Sequence, residues 1–253
     1  MMIGIGSPTF CLSPFLETAE LISRDFRLWE VLSEGEDRLD LIQGDIGYAR
    51  ESLGLEFQVH APLSDVNIGS IHGPMREAAL GEIKHNIEMC HRLEIPLITV
   101  HPGFIQGIAF LDKRKALERT RDSLGVIASV AKANSVEVAV ENLPANMNAT
   151  CTSAADLLEA IGSSGLGVCF DLGHANTAGQ TDQMLELVGQ FRNVHLHNND
   201  GQWDQHNVID DGTADIGEVV RVLKKSYTGN IVIESTDLKS GAKSKRKLEA
   251  LLG

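Results

Sequence analysis

Short apolar runs alternate with longer segments of helical periodicity along the whole chain. Eight runs are rich in Val, Ile and Phe and too short for helices, which indicates buried strands. They are MMIGIGSP (1–8), FRLWEVLS (26–33), LEFQVHAP (55–62), IPLITVHPG (95–103), VEVAVENLP (136–144), LGVCFDLGH (166–174), FRNVHLHN (191–198) and NIVIES (230–235). Between them lie segments with the spacing of amphipathic helices, such as MREAALGEIKHNIEMCHRL, LDKRKALERTRDSLGVIASVAKAN and TSAADLLEAIG. The pattern predicts eight strands that alternate with helices.

This alternation defines the expected fold class. Strands separated by helices form parallel sheets with right-handed crossovers. Eight units in 253 residues give a repeat of about 32 residues (253 divided by 8), which predicts an α/β fold of the (β/α)8 TIM barrel type. The competing open sheet usually carries a glycine-rich loop after its first strand, whereas GIGSPTF has no GxGxxG. Since no linker divides the chain, we expect a single domain over residues 1–253.

Composition and charge narrow the functional classes. The net charge of -13 argues against a general nucleic-acid binder, because neutralising phosphates requires clustered Lys and Arg. The four cysteines (Cys11, Cys90, Cys151, Cys169) form no CxxC pair and suggest neither a disulfide framework nor a thiolate zinc site. The N-terminus does not read as a signal peptide, and no run reaches the length of a membrane span. We therefore expect a cytoplasmic protein with no membrane partner.

Acidic and imidazole side chains close six consecutive predicted strands, from the third to the eighth. In a parallel barrel these C-terminal strand ends meet at the face that carries the chemistry. A charge at the end of a buried strand is costly unless it is paired or binds metal, and no Lys or Arg is among these end residues. The end residues are His60, His101, Glu141, Asp171, His195, His197 and Glu234, followed closely by His174, Asp204 and His206. The pattern predicts a divalent metal site.

The ligand types narrow the choice of metal. Nitrogen and oxygen ligands without thiolates suit zinc, manganese, cobalt or iron, and suit magnesium less well. Period-two alternation directs His195 and His197 to the same face of their strand. Both could therefore point inward, and the spacing alone leaves open which of the two coordinates.

Seven short motifs, in this order and spacing, resemble the xylose isomerase-like barrel superfamily. They are HAP (60–62), HPG (101–103), EN (141–142), DLGH (171–174), HLHNND (195–200), DQH (204–206) and ES (234–235). The superfamily contains sugar isomerases and epimerases and also the endonuclease IV type of DNA-repair enzyme. The resemblance implies a four-ligand centre made of Glu141, Asp171, His197 and Glu234. His195 would then stand beside a ligand or face the substrate.

The endonuclease-like branch holds three zinc ions, and its additional ligands are matched in this chain. The matching positions are His60, His101, His174, Asp204 and His206. The resemblance therefore implies one to three divalent ions, zinc in the first place and manganese or cobalt as alternatives.

Two enzymatic functions compete. In a sugar isomerase or epimerase, Glu141 and Glu234 would be the acid and base that move a proton between or at the carbons of a small sugar. In an endonuclease IV-like hydrolase, bridged zinc ions would generate the hydroxide that cleaves a phosphodiester. The full ligand set favours the hydrolase. Leu63 after HAP and the acidic stretch EVLSEGED differ from the groups with which such repair enzymes hold bent DNA, and favour the isomerase or epimerase.

A third interpretation of the sequence is a metal-binding protein without catalytic activity. For the enzyme, the resemblance also suggests aromatic side chains that stack on the sugar. Trp29 and Trp203 lie near strand ends and are the candidates for this role.

Overall fold

Eight parallel strands form a closed barrel in the computed structural model, which describes residues 1–253. Each strand pairs with the next along the chain, and the last pairs with the first. The strands are β1 (Ile3–Gly6), β2 (Leu28–Leu32), β3 (Glu56–His60), β4 (Leu97–Val100), β5 (Glu137–Glu141), β6 (Gly167–Asp171), β7 (Phe191–Leu196) and β8 (Ile231–Glu234). Each lies inside one of the eight predicted runs. The prediction of a (β/α)8 barrel is confirmed.

Helices fill the connections between the strands. They are α1 (Phe15–Ile22), α2 (Gln43–Leu53), α3 (Gly73–Arg92), α4 (Lys113–Asn134), α5 (Ala154–Ile161), α6 (Leu172–Thr177), α7 (Thr181–Leu185), α8 (Ile216–Ser226) and α9 (Leu238–Leu252). The three segments predicted to be helical correspond to α3, α4 and α5. None of the helices is both long and apolar enough to cross a membrane.

The main hydrophobic core lies between the barrel and its helices. Trp29 of β2 is fully buried there and stacks on Phe15 of α1, with ring centroids 4.7 Å apart and planes inclined by 17°. Phe10 and Phe57 pack near the same indole. Since side chains alternate along a strand, Trp29 points toward the helices and its neighbour Glu30 points into the barrel. The structure therefore corrects the prediction that Trp29 contacts the substrate.

The barrel interior changes from apolar to polar along its axis. Inside the barrel, Leu97, Ala139 and Cys169 form a small buried cluster separate from the main core. Gly4 makes room for Leu28, because a Cβ at Gly4 would lie 2.8 Å from the Leu28 side chain. Toward the C-terminal ends of the strands most inward-facing side chains are polar, and they lead to the site at that end.

The long connection between β7 and α8 is held by one buried amide. The Asn198 side chain accepts hydrogen bonds from the backbone N–H groups of Asn199 and Ala214, both near 3 Å, and donates to the carbonyl of Ile209 at 2.8 Å. At Gly212 a Cβ would lie 2.2 Å from Asn198 Oδ1, so the chain needs glycine to pass so close. This bracing fixes the loop that carries two of the predicted ligands.

The two tryptophans offer a matched test of the core. Trp29→Ala should lower the free energy of unfolding by about 3–5 kcal/mol, because it leaves a cavity among packed aromatic rings. Trp203, which is 63% exposed, should change it by less than about 0.5 kcal/mol when replaced by Ala. Urea denaturation followed by circular dichroism measures both values. Equal losses of stability in the two variants would contradict the placement of Trp29 in the core.

Candidate metal centre

All ten predicted acidic and imidazole side chains meet at the C-terminal mouth of the barrel. Five of them lie at the ends of strands, and the segments after β4, β6 and β7 supply the other five. Within this set, three groups have ligand atoms within 4.8 Å of one another, and the first two of them share Glu141. The groups are Glu141, Asp171, His195 and Glu234; His60, His101 and Glu141; and His174, His197, Asp204 and His206.

The first group surrounds one ring nitrogen of His195. Nδ1 of His195 lies 3.1 Å from Glu141 Oε1, 3.1 Å from Glu234 Oε1 and 3.8 Å from Asp171 Oδ2. The three carboxylates come from β5, β6 and β8, and their strands carry them to the same depth as His195. The arrangement presents three acidic oxygens and one imidazole nitrogen to a common point.

His195 and His197, at the end of β7, are placed differently from what the resemblance implies. His197 was expected beside Glu141 and Glu234, but His195 lies there instead. Both rings point inward, yet His195 is one inward step deeper and pairs in register with Asp171. His195 is also fully buried and does not face the cavity, but it stands beside the expected ligand Glu141.

His197 lies just beyond the end of β7 and belongs to the third group. Its Nε2 is 3.2 Å from Asp171 Oδ1 and 3.5 Å from Asp204 Oδ1, and its ring stacks on His206 with centroids 4.1 Å apart. Nε2 atoms of His174 and His206 both lie 3.2 Å from Asp204 Oδ2. The four side chains therefore enclose a second point at which an ion could be held.

The backbone leaves room for the His197 ring only because residue 173 is glycine. A Cβ at Gly173 would lie 1.9 Å from Cε1 of His197. The helix that contains Gly173 begins directly after β6, and the Asp171 side chain accepts from the backbone N–H of His174 at 2.6 Å. The four residues of DLGH thus supply the N-cap of α6, the glycine that leaves space for the His197 ring, and the imidazole of His174.

The second group shares Glu141 with the first. Nε2 atoms of His60 and His101 both lie 3.1 Å from Glu141 Oε2, while Oε1 of the same carboxylate faces His195. Nδ1 of His60 donates to the carbonyl of Ala61 at 2.8 Å, so Nε2 is the ring nitrogen that faces Glu141 and the group.

Burial and charge act in opposite directions on these groups. Burial opposes ionisation of Glu141, but the charge of His195 and hydrogen bonds from His101, His195 and His60 outweigh it and hold its pKa well below the usual value. Burial also disfavours the charged form of His60, yet the hydrogen bond to Glu141 raises its pKa to about 9. For His101 burial dominates and lowers the pKa. Glu141 is therefore ionised at neutral pH.

Several buried polar atoms of the site have no hydrogen-bond partner. They are Asp171 Oδ2, Asp204 Oδ1, His101 Nδ1, His206 Nδ1 and both ring nitrogens of His197. An unpaired buried polar atom costs about 1–3 kcal/mol, so such a concentration calls for a compensating partner. Divalent cations would satisfy the atoms that face the ligand groups, such as Asp171 Oδ2, Asp204 Oδ1 and one ring nitrogen of His197. Zinc, manganese and cobalt accept this donor set. The residues present fit a divalent metal.

A polar layer lies directly beneath the ligand groups and was not predicted from the sequence. Glu30, Gln58, Thr99 and Asn193 point into the barrel from β2, β3, β4 and β7, and each is buried. Glu30 Oε1 lies 2.7 Å from Nε2 of His195. A glutamate in the middle of a buried apolar run was the available signal, since such a charge needs a partner inside the fold.

The mouth opens into a cavity of about 260 Å³. Its floor includes Glu141, Glu234 and Asp204, and its apolar wall is formed by Leu32, Leu63, Phe104 and Met147, without any Lys or Arg.

Trp203, which the resemblance suggests for substrate contact, is not among the residues that line this cavity. Its backbone N–H donates to Asp200 Oδ1, and its indole lies on the outer surface of the loop, while the next residue, Asp204, turns inward.

Comparisons with known proteins agree with this architecture. A chain titled a D-tagatose 3-epimerase-like protein superposes with a TM-score of 0.92 at 30% identity, over 100% of this chain and 97% of its own. The apo form of the 3-keto-D-glucoside 4-epimerase from E. coli superposes with a TM-score of 0.81 at 19% identity, over 99% of both chains. An uncharacterized protein of Methanocaldococcus jannaschii is 30% identical over 264 residues, covering 100% of this chain and 89% of that protein.

The sequence profile of one family extends over nearly the whole barrel. The profile described as xylose isomerase-like TIM barrel matches residues 19–251, from α1 to α9. Together with the closed eight-stranded barrel, this match shows that the chain belongs to the xylose isomerase-like TIM barrel family.

Proposed function

We propose that this protein is a metal-dependent sugar epimerase that inverts a carbon next to a carbonyl group. The observation that carries the proposal is the pair of carboxylates of Glu141 and Glu234. Both line the cavity, and their ligand atoms lie within 4.8 Å of each other around His195. Epimerisation requires a proton to be removed from one face of a carbon and returned to the other, and two opposed carboxylates can divide this work.

The names of the similar structures support the same reaction. The D-tagatose 3-epimerase-like protein is named after an enzyme that inverts C3 of a 2-ketose, and 3-keto-D-glucoside 4-epimerase is named for inversion at C4 of a 3-keto sugar. Both names describe a reaction at a carbon adjacent to a carbonyl. Only such a carbon has a proton acidic enough for removal by a carboxylate. The shared feature is therefore the position of the proton relative to the carbonyl, and it matches what the two glutamates can do.

The metal would be held by Glu141, Asp171, His195 and Glu234, and zinc is our first choice for it. When bound, such an ion polarises the oxygen atoms of the sugar and makes the neighbouring C–H bond more acidic. Glu141 and Glu234 reach the cavity from β5 and β8, on different sides of the mouth. The other two groups provide ligands for up to two further ions.

The cavity favours a small uncharged substrate. Its volume of about 260 Å³ is below the roughly 300–1,000 Å³ of pockets for drug-sized ligands, which suits a monosaccharide. No Lys or Arg side chain is present to pair with a phosphate group. The apolar wall can pack against the C–H face of a sugar while the acidic floor faces its hydroxyls.

A zinc-dependent phosphodiester hydrolase is the second candidate, and the three adjoining ligand groups favour it. The loop after β2 opposes it. Glu34 in that loop accepts hydrogen bonds from the backbone N–H of Ser64 at 2.6 Å and from its hydroxyl at 2.7 Å. The acidic loop is thereby fixed beside Leu63 at the cavity, where the phosphates of a bound duplex would be repelled.

Two glutamates at opposite ends of β5 test the metal centre. Glu141→Ala should lower the number of zinc ions per chain, because Glu141 belongs to two ligand groups. Glu137→Ala should leave the number unchanged, since Glu137 is exposed at the other end of the strand beside Arg192. Native mass spectrometry after loading with zinc and desalting counts the ions. The same count in both variants would remove Glu141 from the metal centre.

Solvent exchange tests the reaction. In D2O the wild-type protein with zinc should place deuterium at C3 of D-tagatose or a related ketose, because a proton held by a carboxylate can exchange before it is returned. Glu234→Gln keeps an oxygen for the metal but removes a base, so exchange should fall by about two to four orders of magnitude. Glu137→Gln is the matched control and should retain full exchange. Proton NMR of the sugar measures the rate.

The same preparation distinguishes the hydrolase. Zinc-dependent incision of a duplex with an abasic site, without deuterium exchange across a panel of ketoses, would overturn the epimerase and establish the second candidate.

A further inference from the structure

Phe104, in the loop after β4, borders two hollows at the C-terminal face of the barrel. One is the cavity of about 260 Å³ above the ligand groups, and the other is a hollow of about 350 Å³ between the loops after β3 and β4. No other residue belongs to the linings of both. Phe104 therefore stands at the boundary between them.

The second hollow, which we call the outer hollow, has a lining without carboxylates, Lys or Arg. Its polar side chains are those of Asn67, Ser70, His72 and Gln106, and the rest of the lining is apolar or glycine. Amide and hydroxyl groups both donate and accept hydrogen bonds, as the hydroxyls of a sugar do. If the outer hollow were joined to the cavity, it would offer room and polar partners for a second sugar ring.

The backbone of Phe104 is fixed by the side chain of Asn67, in the loop after β3. Nδ2 of Asn67 donates to the carbonyl of Phe104 at 2.9 Å, and Oδ1 accepts from the backbone N–H of Phe104 at 2.9 Å. The same Oδ1 accepts from the N–H of Gly69 at 3.0 Å. Asn67 thus pairs with both backbone groups of Phe104 and ties them to its own loop.

The close approach of these two loops depends on Gly103. Its φ is 122°, and a Cβ there would lie 2.6 Å from the backbone nitrogen of Gly69 and 2.8 Å from Oδ1 of Asn67. Only glycine adopts this conformation readily and leaves space for the amide. The residue before Phe104 is therefore suited to the contact with Asn67.

The loop after β5 and one imidazole hold Phe104 as well. Phe104 forms an antiparallel bridge with Ala149, and the N–H of Ile105 donates to the carbonyl of Asn148 at 2.7 Å. The ring of Phe104 packs edge-on against His101, with centroids 6.0 Å apart and planes inclined by 71°. Both the backbone and the ring of Phe104 are thus fixed at the boundary.

We infer that Phe104 is a specificity-determining residue that closes the cavity to a second sugar ring, and that Asn67 is the positioning residue that holds it there. This inference rests on the proposed function, because it assigns the size of the substrate at the same site. The substrate class is then the free monosaccharide, and glycosylated ketoses are excluded by the Phe104 side chain and not by a lack of space beyond it.

Two sugars with the same reacting end test the role of Phe104. D-fructose and its 6-O-glucosyl derivative share the carbonyl and C3 and differ by one sugar ring. With zinc in D2O, the wild type should exchange the C3 proton of D-fructose with a much higher kcat/KM than that of the disaccharide. Phe104→Ala should raise the ratio of kcat/KM, disaccharide over D-fructose, by about tenfold or more, since one methylene group in a pocket already changes such ratios by about 10–200-fold.

Two outcomes would overturn the role of Phe104. They are an unchanged ratio in Phe104→Ala and a wild type that exchanges both sugars equally well. Absence of exchange in the wild type across a panel of ketoses would instead overturn the proposed function, and the size limit with it.

The role of Asn67 is tested with the same ratio. Asn67→Ala should raise it, whereas Ser123→Ala should leave it unchanged. Ser123 is the matched control, because its hydroxyl donates to the carbonyl of Ile68 at 2.7 Å and so fixes the same loop without contacting Phe104. In the double variant of Asn67 and Phe104 the ratio should equal that of Phe104→Ala alone, because Asn67 acts through the ring. Equal shifts in Asn67→Ala and Ser123→Ala, or additive shifts in the double variant, would contradict the positioning role.

A milder substitution keeps the role of Asn67 testable if Asn67→Ala does not fold. Asn67→Asp retains an oxygen for the N–H groups of Phe104 and Gly69 and loses only the hydrogen bond to the carbonyl of Phe104. Its ratio should lie between those of the wild type and Phe104→Ala. A ratio equal to that of the wild type would overturn the role of Asn67.

Discussion

The interior of this barrel must accommodate carboxylates of like charge around a single imidazole, and the rest of the site is arranged about that constraint. Glu30, Glu141 and Asp171 are each 2% exposed or less, and the fully buried His195 lies within 3.8 Å of a carboxylate oxygen of all three. Separating such charges from water is expensive, and the attraction between unlike groups compensates for it only when the geometry is good. The surrounding elements provide that geometry.

The backbone around the mouth fixes the acidic groups through neutral side chains. The Asn142 amide donates to the carbonyl of Asp171 and accepts from its N–H, both at 2.9 Å, so the end of β6 is tied to β5. Asn198 performs a similar task for the loop after β7, and Gly173 leaves the space that His197 occupies. Asparagines and glycines hold the charged residues in place without adding charge of their own.

The fold can be predicted from the sequence because eight short apolar runs and the helices between them are compatible with few arrangements. The residues at the strand ends can be predicted as well, because the C-terminal ends of parallel strands lie at one face of the barrel. The direction of individual side chains is harder to read. All five residues of β2 are buried, because a barrel strand is covered on both faces. The hydrophobic pattern of β2 therefore does not show that Trp29 points outward and Glu30 inward. The exchange of His195 and His197 has a related cause. Alternation places both on one face, and only the stagger between β6 and β7 decides their depth.

Glu141 accepts from the two imidazoles of one ligand group through Oε2 and faces the other group through Oε1. Because Glu141 is shared in this way, the binding of a metal ion at one group and the binding of a metal ion at the other are thermodynamically linked. Whatever occupies one position changes the electron density, orientation and charge that Glu141 offers at the other. By reciprocity, each occupant alters the affinity of its neighbour by the same factor. Titration with metal would then give a cooperative or anticooperative isotherm in place of two independent ones.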